Sequence, residues 1–145
     1  MEKAVTLAEQ MAGSSFSLLP DGYSVVRALD VADLDGGFFW RNCFAMICDC
    51  QAGECTLVVG KGGAAEVADP AYPEHAVYRA IRMNLLAPFE GVGFISAVSG
   101  AIARAGVNIL AVSAYSFDYF LVKEEDLEKT LRALGAMGVR QEDRP

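Results

Sequence analysis

FISAVSGAIARAGVNILAVSAYSFDYFLVK, Phe94 to Lys123, changes its hydrophobic period partway along. Over Phe94 to Ala105 the apolar line is Ile95, Val98, Ile102 and Ala105, the spacing of one helix face. Gly106 ends the helix, because glycine accepts the left-handed backbone of a helix terminus. Val107 to Ala114 and Phe117 to Val122 then read as two strands joined tightly at Tyr115-Ser116. Upstream, Ala76 to Leu86 reads as a strand and Pro88 to Gly93 as a turn. Downstream, Glu124 to Leu134 reads as a helix with Leu127, Leu131 and Leu134 facing inward. Glu125 with Lys129 and Glu128 with Arg132 are i,i+4 pairs in the favoured direction. Gly135 caps this helix, and Val139 fits a short last strand. The order β-α-β-β-α-β predicts two interleaved right-handed β-α-β units, giving a four-stranded antiparallel sheet with both helices on one face. Such a sheet, bare on its other face, is marginal alone and needs the first half of the chain or a second copy as cover.

The first half is less regular. Glu2 to Ala12 reads as an amphipathic helix stopped by Gly13. Phe16 to Leu19 and Tyr23 to Leu29 read as a hairpin about Pro20-Asp21-Gly22, where proline fixes φ and glycine tolerates a positive φ. After a polar, Gly-rich stretch from Asp30 to Gly37, Phe38 to Cys50 is strongly apolar. It meets a turn at Gln51-Ala52-Gly53, and Thr56 to Gly60 runs back as a strand. Phe38, Phe39 and Trp40 read as core or interface aromatics. Lys61 to Pro73, rich in Gly, Ala and Pro, is the best linker candidate. The expected domains are therefore residues 1–70 and 71–145.

Composition narrows the function. The 145 residues are 53% hydrophobic and 21% charged, with mean hydropathy +0.28, enough apolar material to exclude a disordered chain. The net charge of −7 repels a phosphate backbone, so nucleic acid is not an expected partner. No apolar run reaches the roughly 18 residues of a membrane span. The start, Met1-Glu2-Lys3-Ala4-Val5, lacks a signal-peptide pattern, so the expected location is cytoplasmic, without a membrane partner. Cys43, Cys48, Cys50 and Cys55 follow C-x4-C-x-C-x4-C, which is no standard zinc hook. Structural thiols or a redox-active pair remain open readings, and no metal or cofactor is expected. His75 is the one histidine, placed in the linker candidate, so a Ser-His-Asp or Cys-His machine has no obvious seat and no catalytic residue is assigned.

The run Leu86-Ala87-Pro88-Phe89-Glu90-Gly91-Val92-Gly93-Phe94-Ile95-Ser96-Ala97-Val98, continuing through Ala103-Arg104-Ala105-Gly106-Val107-Asn108-Ile109, resembles the ACT domain, a small ligand-binding regulatory module of amino-acid metabolism. Ser113-Ala114-Tyr115-Ser116-Phe117-Asp118-Tyr119-Phe120-Leu121-Val122-Lys123 is similar to the tandem ACT-like subgroup related to cytosolic arginine sensors. Ala114 and Ser116 depart from that subgroup, removing one hydroxyl and one carboxylate. The resemblance runs from Ala76 to Met137. It implies an α+β fold of two tandem ferredoxin-like (βαββαβ) halves with antiparallel sheets, the first half diverged.

The residues allow a ligand site. Gly91, Val92 and Gly93, with Phe94 after them, precede a helix whose free N–H groups can receive a carboxylate, and ACT domains often use this loop for the ligand. The alternative reading is that these glycines only make the turn. Asn108, followed by Ile109, offers a donor and an acceptor expected at the same sheet end, or simply caps a turn. Asp118 interrupts an apolar strand, sharing a face with Phe120 and Val122 by period-2 alternation. It suits a ligand ammonium, or solvent, or an ion pair with Arg79 or Arg82. Ser113 adds a hydroxyl. The expected function is a non-enzymatic, dimeric sensor of a small molecule, an amino acid, acting through a domain or subunit interface. The alternatives are a ligand-free dimerising adaptor and a thiol-based redox protein using Cys43–Cys55.

Overall fold

The computed structural model describes residues 6–28, 32, 34–72, 75–85 and 92–143. In chain order its elements are α1 (Leu7–Gly13), β1 (Ser15–Ala28), α2 (Gly36–Asn42), β2 (Cys43–Asp49), β3 (Glu54–Gly60), α3 (Ala64–Val67), β4 (Tyr78–Asn84), α4 (Phe94–Arg104), β5 (Leu110–Ser113), β6 (Asp118–Lys123), α5 (Leu127–Ala136) and β7 (Arg140–Gln141), with a 3-10 turn at Glu124–Asp126 before α5. The chain is α+β with antiparallel sheet pairing. It divides into two compact units, a continuous one, Asp21–Tyr78, and a discontinuous one, Met1–Pro20 with Arg79–Pro145. This grouping differs from successive halves at 1–70 and 71–145. The cause is that α1 and the first part of β1 pack with the C-terminal elements.

In the discontinuous unit the strands run β1, β4, β6, β5 in space, with β7 parallel to the start of β1. The β-α-β-β-α-β order is present, and β1 lies beside β4 while the last strand, β7, pairs with β1. Two residues of β7 offer little ladder, whereas β1 adds side-chain bonds. The Asn84 amide donates to Ser15 Oγ at 3.2 Å and Ser17 Oγ at 3.1 Å. Phe16, Ile81, Met83, Phe94, Val98, Ile102, Phe120, Val122 and Leu134 are among the buried core residues. The helix face of α4 is rotated from the expected one: Phe94 and Ala101 are buried beside Val98 and Ile102, and Ile95 is exposed. On α5, Leu134 is buried and Leu127 and Leu131 pack against the core as expected. Lys129 pairs with Asp126 at 2.9 Å rather than with Glu125. The expected helix from Glu2 is α1 from Leu7 onward, started by a capping box. Thr6 Oγ1 accepts from Glu9 N, and Glu9 Oε2 accepts from Thr6 N. Residues 2–5 lie outside the described residues.

In the continuous unit the order is β2, β3, then the second part of β1, all antiparallel. Its core is Val26, Ala28, Phe38, Leu57, Val59, Ala64 and Val67. Several expectations are corrected here. The hairpin about Pro20-Asp21-Gly22 is instead one strand, β1. Gly22 does not take a positive φ, and a Cβ on it would meet Val77 Cγ1 at 3.0 Å, so glycine serves close approach rather than a turn. The carbonyls of Leu19 and Pro20 accept from the Arg79 guanidinium at 3.2 and 3.5 Å. The apolar run from Phe38 begins as a helix, α2, because the Asp35 side chain caps it by accepting from Phe38 N at 2.7 Å. Phe38 is buried as expected, but Trp40 is 92% exposed. The linker candidate holds α3, whose Ala64 and Val67 are core, and Asp69 N donates to Arg27 O at 2.8 Å. The turn before β3 falls where expected, with Gly53 at φ +64°.

Candidate functional site

β5 and β6 pair antiparallel and in register, Leu110 with Leu121 through Ser113 with Asp118. Directly opposed residues share a face, so Ala111 and Ser113 lie on the face of Phe120 and Asp118, the face that carries the helix-side core. Ala114 N donates to Phe117 O at 2.9 Å, leaving Tyr115-Ser116 as the connection at the tip. Asp118 is therefore the last helix-side residue before the edge of that core. It is half-buried, and Ser113 Oγ donates to its Oδ1 at 2.6 Å. This short hydrogen bond to a carboxylate is charge-assisted. Among the described residues, Asp118 Oδ2 takes no hydrogen bond. Neither expected arginine is its partner. Arg79 lies 3.9 Å from Glu124, and Arg82 donates to Asn84 Oδ1 while its guanidinium sits 4.8 Å from the Phe117 ring centroid. The Arg82 stack puts the last part of β4 beside the start of β6. The β4-to-α4 connection thus leaves from the same sheet end as Ser113 and Asp118.

That connection reaches α4 through Val92, which is fully open to solvent, and Gly93, whose φ of +90° forms the N-cap without a side-chain bond. Phe94 follows, buried in the cluster that holds Phe120. Gly91 lies outside the described residues. Ser113, Asp118 and the start of α4 therefore gather at one end. Asn108 and Ile109 do not join them. They follow the C-terminus of α4, whose 11 residues rise roughly 16 Å along the axis. Asn108 is exposed and stands at the far end of β5 from Ser113, roughly 15 Å away along an extended chain. The expectation of one shared sheet end fails because a crossover helix returns the chain to the opposite edge before the next strand starts.

The continuous unit holds a cavity of about 520 Å³ that the sequence did not disclose. Ser24, Lys61, Asp69 and His75 supply its polar lining, and Ala64, Ala65, Ala68, Pro70 and Val77 its apolar walls. Asp69 Oδ1 accepts from Ala71 N at 2.9 Å. The signal available in the sequence was the company of the single histidine, itself read as part of the linker.

The four cysteines are free thiols. Burial raises the Cys43 thiol pKa, and its Sγ donates to Ala45 O at 3.2 Å. Burial, then the neighbouring Cys48 thiol, pushes Cys55 up to about 11. No cluster of three or more His, Cys, Asp or Glu side chains able to hold a metal ion occurs among the described residues. No described helix is long and apolar enough to cross a membrane.

No curated protein matches the sequence. A Vibrio cholerae protein of unknown function, described as a possible transport protein, shares the fold with a TM-score of 0.74 at 20% identity, over 94% of this chain and 99% of that one. The ligand-free regulatory subunit of aspartate kinase from Thermus thermophilus aligns with a TM-score of 0.59 at 17% identity, over 93% and 98% of the two chains. An Agrobacterium tumefaciens protein aligns with a TM-score of 0.61 at 21% identity, over 91% and 94%. These likenesses are of fold. Residues 76–136 match the family model of the ACT domain, and this matched segment is the one that carries Ser113 and Asp118.

Proposed function

We propose that the protein is a regulatory module that binds a small molecule, an α-amino acid, at the end of the β5–β6 hairpin beside the start of α4. The observation that carries this reading is the half-buried Asp118, held by Ser113 through one oxygen, the other taking no hydrogen bond among the described residues. An ammonium group completes that carboxylate by a charge-assisted hydrogen bond. The ligand carboxylate lies against the free N–H groups at the start of α4, around Val92, Gly93 and Phe94, with Gly91 the residue before Val92 in sequence. Asn108 and Ile109 reach this ligand only from a second copy of the chain, so the site is shared in a homodimer. The match of residues 76–136 to the ACT domain and the fold likeness to a regulatory subunit support a regulatory rather than catalytic role. Regulation follows from linkage: a ligand that prefers one arrangement of units or subunits populates it by its differential affinity.

The test is a thermal-shift screen of the twenty L-amino acids on the native chain and on Asp118→Ala. One or a few amino acids raise the melting temperature of the native chain by mass action, and Asp118→Ala abolishes the response. An unchanged response in Asp118→Ala refutes the site. No response to any amino acid, from a chain that runs as a dimer on sizing, supports the ligand-free adaptor instead.

A further inference from the structure

We propose that Cys48 and Cys55 form a thiol–disulfide exchange site, closing reversibly to an intramolecular disulfide with a low-molecular-weight disulfide as oxidant. β2 and β3 pair antiparallel with Cys48 directly opposite Cys55. Opposed antiparallel residues have Cα atoms about 4.5–5.5 Å apart, inside the range disulfides span. The two Sγ atoms already stand 2.8 Å apart, so closure to a bond of about 2.05 Å asks for a small side-chain rotation and no backbone movement. The register is held beside the pair. Asp49, the next residue, accepts from Gln51 N at 2.9 Å and Ala52 N at 3.0 Å, and Gly53 closes the turn in the left-handed region. The other thiols are placed differently. Cys43 lies opposite Val59 at the far end of β2 and donates to Ala45 O, and Cys50 lies past the strand in the turn.

The two sulfurs have unequal access. Cys48 is exposed, whereas Cys55 is half-buried against the core of the continuous unit. A small disulfide RS–SR therefore meets Cys48 first. The Cys48 thiolate attacks one sulfur, an S–S bond forms to Cys48, and RS⁻ leaves. The Cys55 thiolate then attacks the Cys48 sulfur, forming the intramolecular bond and releasing the second RS⁻. The protein gives up two electrons and two protons, and RS–SR is reduced to two RSH. Burial raises the Cys55 thiol pKa, so the second step, which needs the Cys55 thiolate, quickens as pH rises.

The experiment treats the reduced full chain with oxidised glutathione, quenches with iodoacetamide, and reads intact mass and disulfide-linked peptides. Two of the four thiols are expected to escape alkylation, with the unalkylated oxidised mass lower by about 2 Da and a Cys48–Cys55 peptide pair that dithiothreitol reverses. Cys50→Ser closes the same pair. Cys55→Ser stops at the mixed disulfide on Cys48. Four alkylatable thiols after treatment, a bond mapped to Cys50, or a bond between chains would each overturn the proposal. A ligand response that survives oxidation or fails with it leaves this result untouched, because the pair lies in the other unit from Asp118.

Discussion

Replacing Gly93 separates backbone strain from packing at the start of α4. Gly93 sits at φ +90°, and among the described residues a Cβ built on it meets only Leu7 Cδ2, at 4.0 Å. Gly93→Ala therefore causes no clash, and its cost is conformational. A non-glycine residue in the left-handed region costs about 1–2 kcal/mol. Alanine returns about 0.4–1 kcal/mol by narrowing the unfolded ensemble, so the net loss is about 1 kcal/mol. For a chain of this size that is a fall in melting temperature of about 2–4 °C, read by thermal or urea unfolding followed by circular dichroism. Gly93→Asn is the control. Asparagine tolerates the left-handed region and brings a side-chain acceptor to an N-cap that now has none, so it is expected to lie close to the native stability. An alanine variant as stable as the native chain, or an asparagine variant as unstable as alanine, refutes the strain argument.

Other elements give independent checks. Asp35→Ala removes the acceptor for Phe38 N and is expected to cost about 1 kcal/mol in urea unfolding, with Asp35→Ser recovering most of it. The Thr6 backbone and side-chain bonds hold the Glu9 carboxyl below its ordinary value of 4.5. Its stabilising effect is therefore present above about pH 4.5 and is lost as pH falls through the lowered value; a Glu9→Gln variant should show a flatter acid limb. Cys55 runs the opposite way. Its raised pKa means that the stability it contributes is full below pH 9.0 and declines as pH climbs toward about 11, a loss that Cys55→Ala should reduce in alkaline unfolding curves.

The second half of the chain was legible because its signals are local. The helix starting at Phe94, the two strands around Tyr115-Ser116 and the helix after Glu124 follow from period and punctuation and appear within a few residues of the expected bounds, except that the last helix runs through Gly135, its expected cap, and the left-handed glycine after it is Gly138 at φ +82°. The first half misled where local chemistry yields to distant partners. Pro20-Asp21-Gly22 has turn composition, yet Arg79 satisfies the two carbonyls before Asp21, and Val77 fills the space beside Gly22. Nothing within ten residues of Pro20 announces a partner almost sixty residues away. Two signals were local and were passed over: Asp35 three residues before Phe38 marks a helix start, and Ala64 with Val67 shares one helical face.

The candidate site was half visible. Alternation put Asp118 on the core face, and the register of the hairpin added Ser113 as its direct hydrogen-bond partner. The place of Asn108 could not be had from spacing alone, because it depends on which sheet edge the crossover helix returns to.

The most direct test is the affinity of the screened amino acid for the native chain and for Asp118→Asn, measured by titration calorimetry at one pH and salt. Asparagine keeps the size of the side chain and an acceptor for Ser113 but removes the charge. The loss of a hydrogen bond to a charged group predicts a Kd weaker by about 10-fold to 150-fold, from about 1.5–3 kcal/mol. An Asp118→Asn variant that binds as tightly as the native chain would contradict the account.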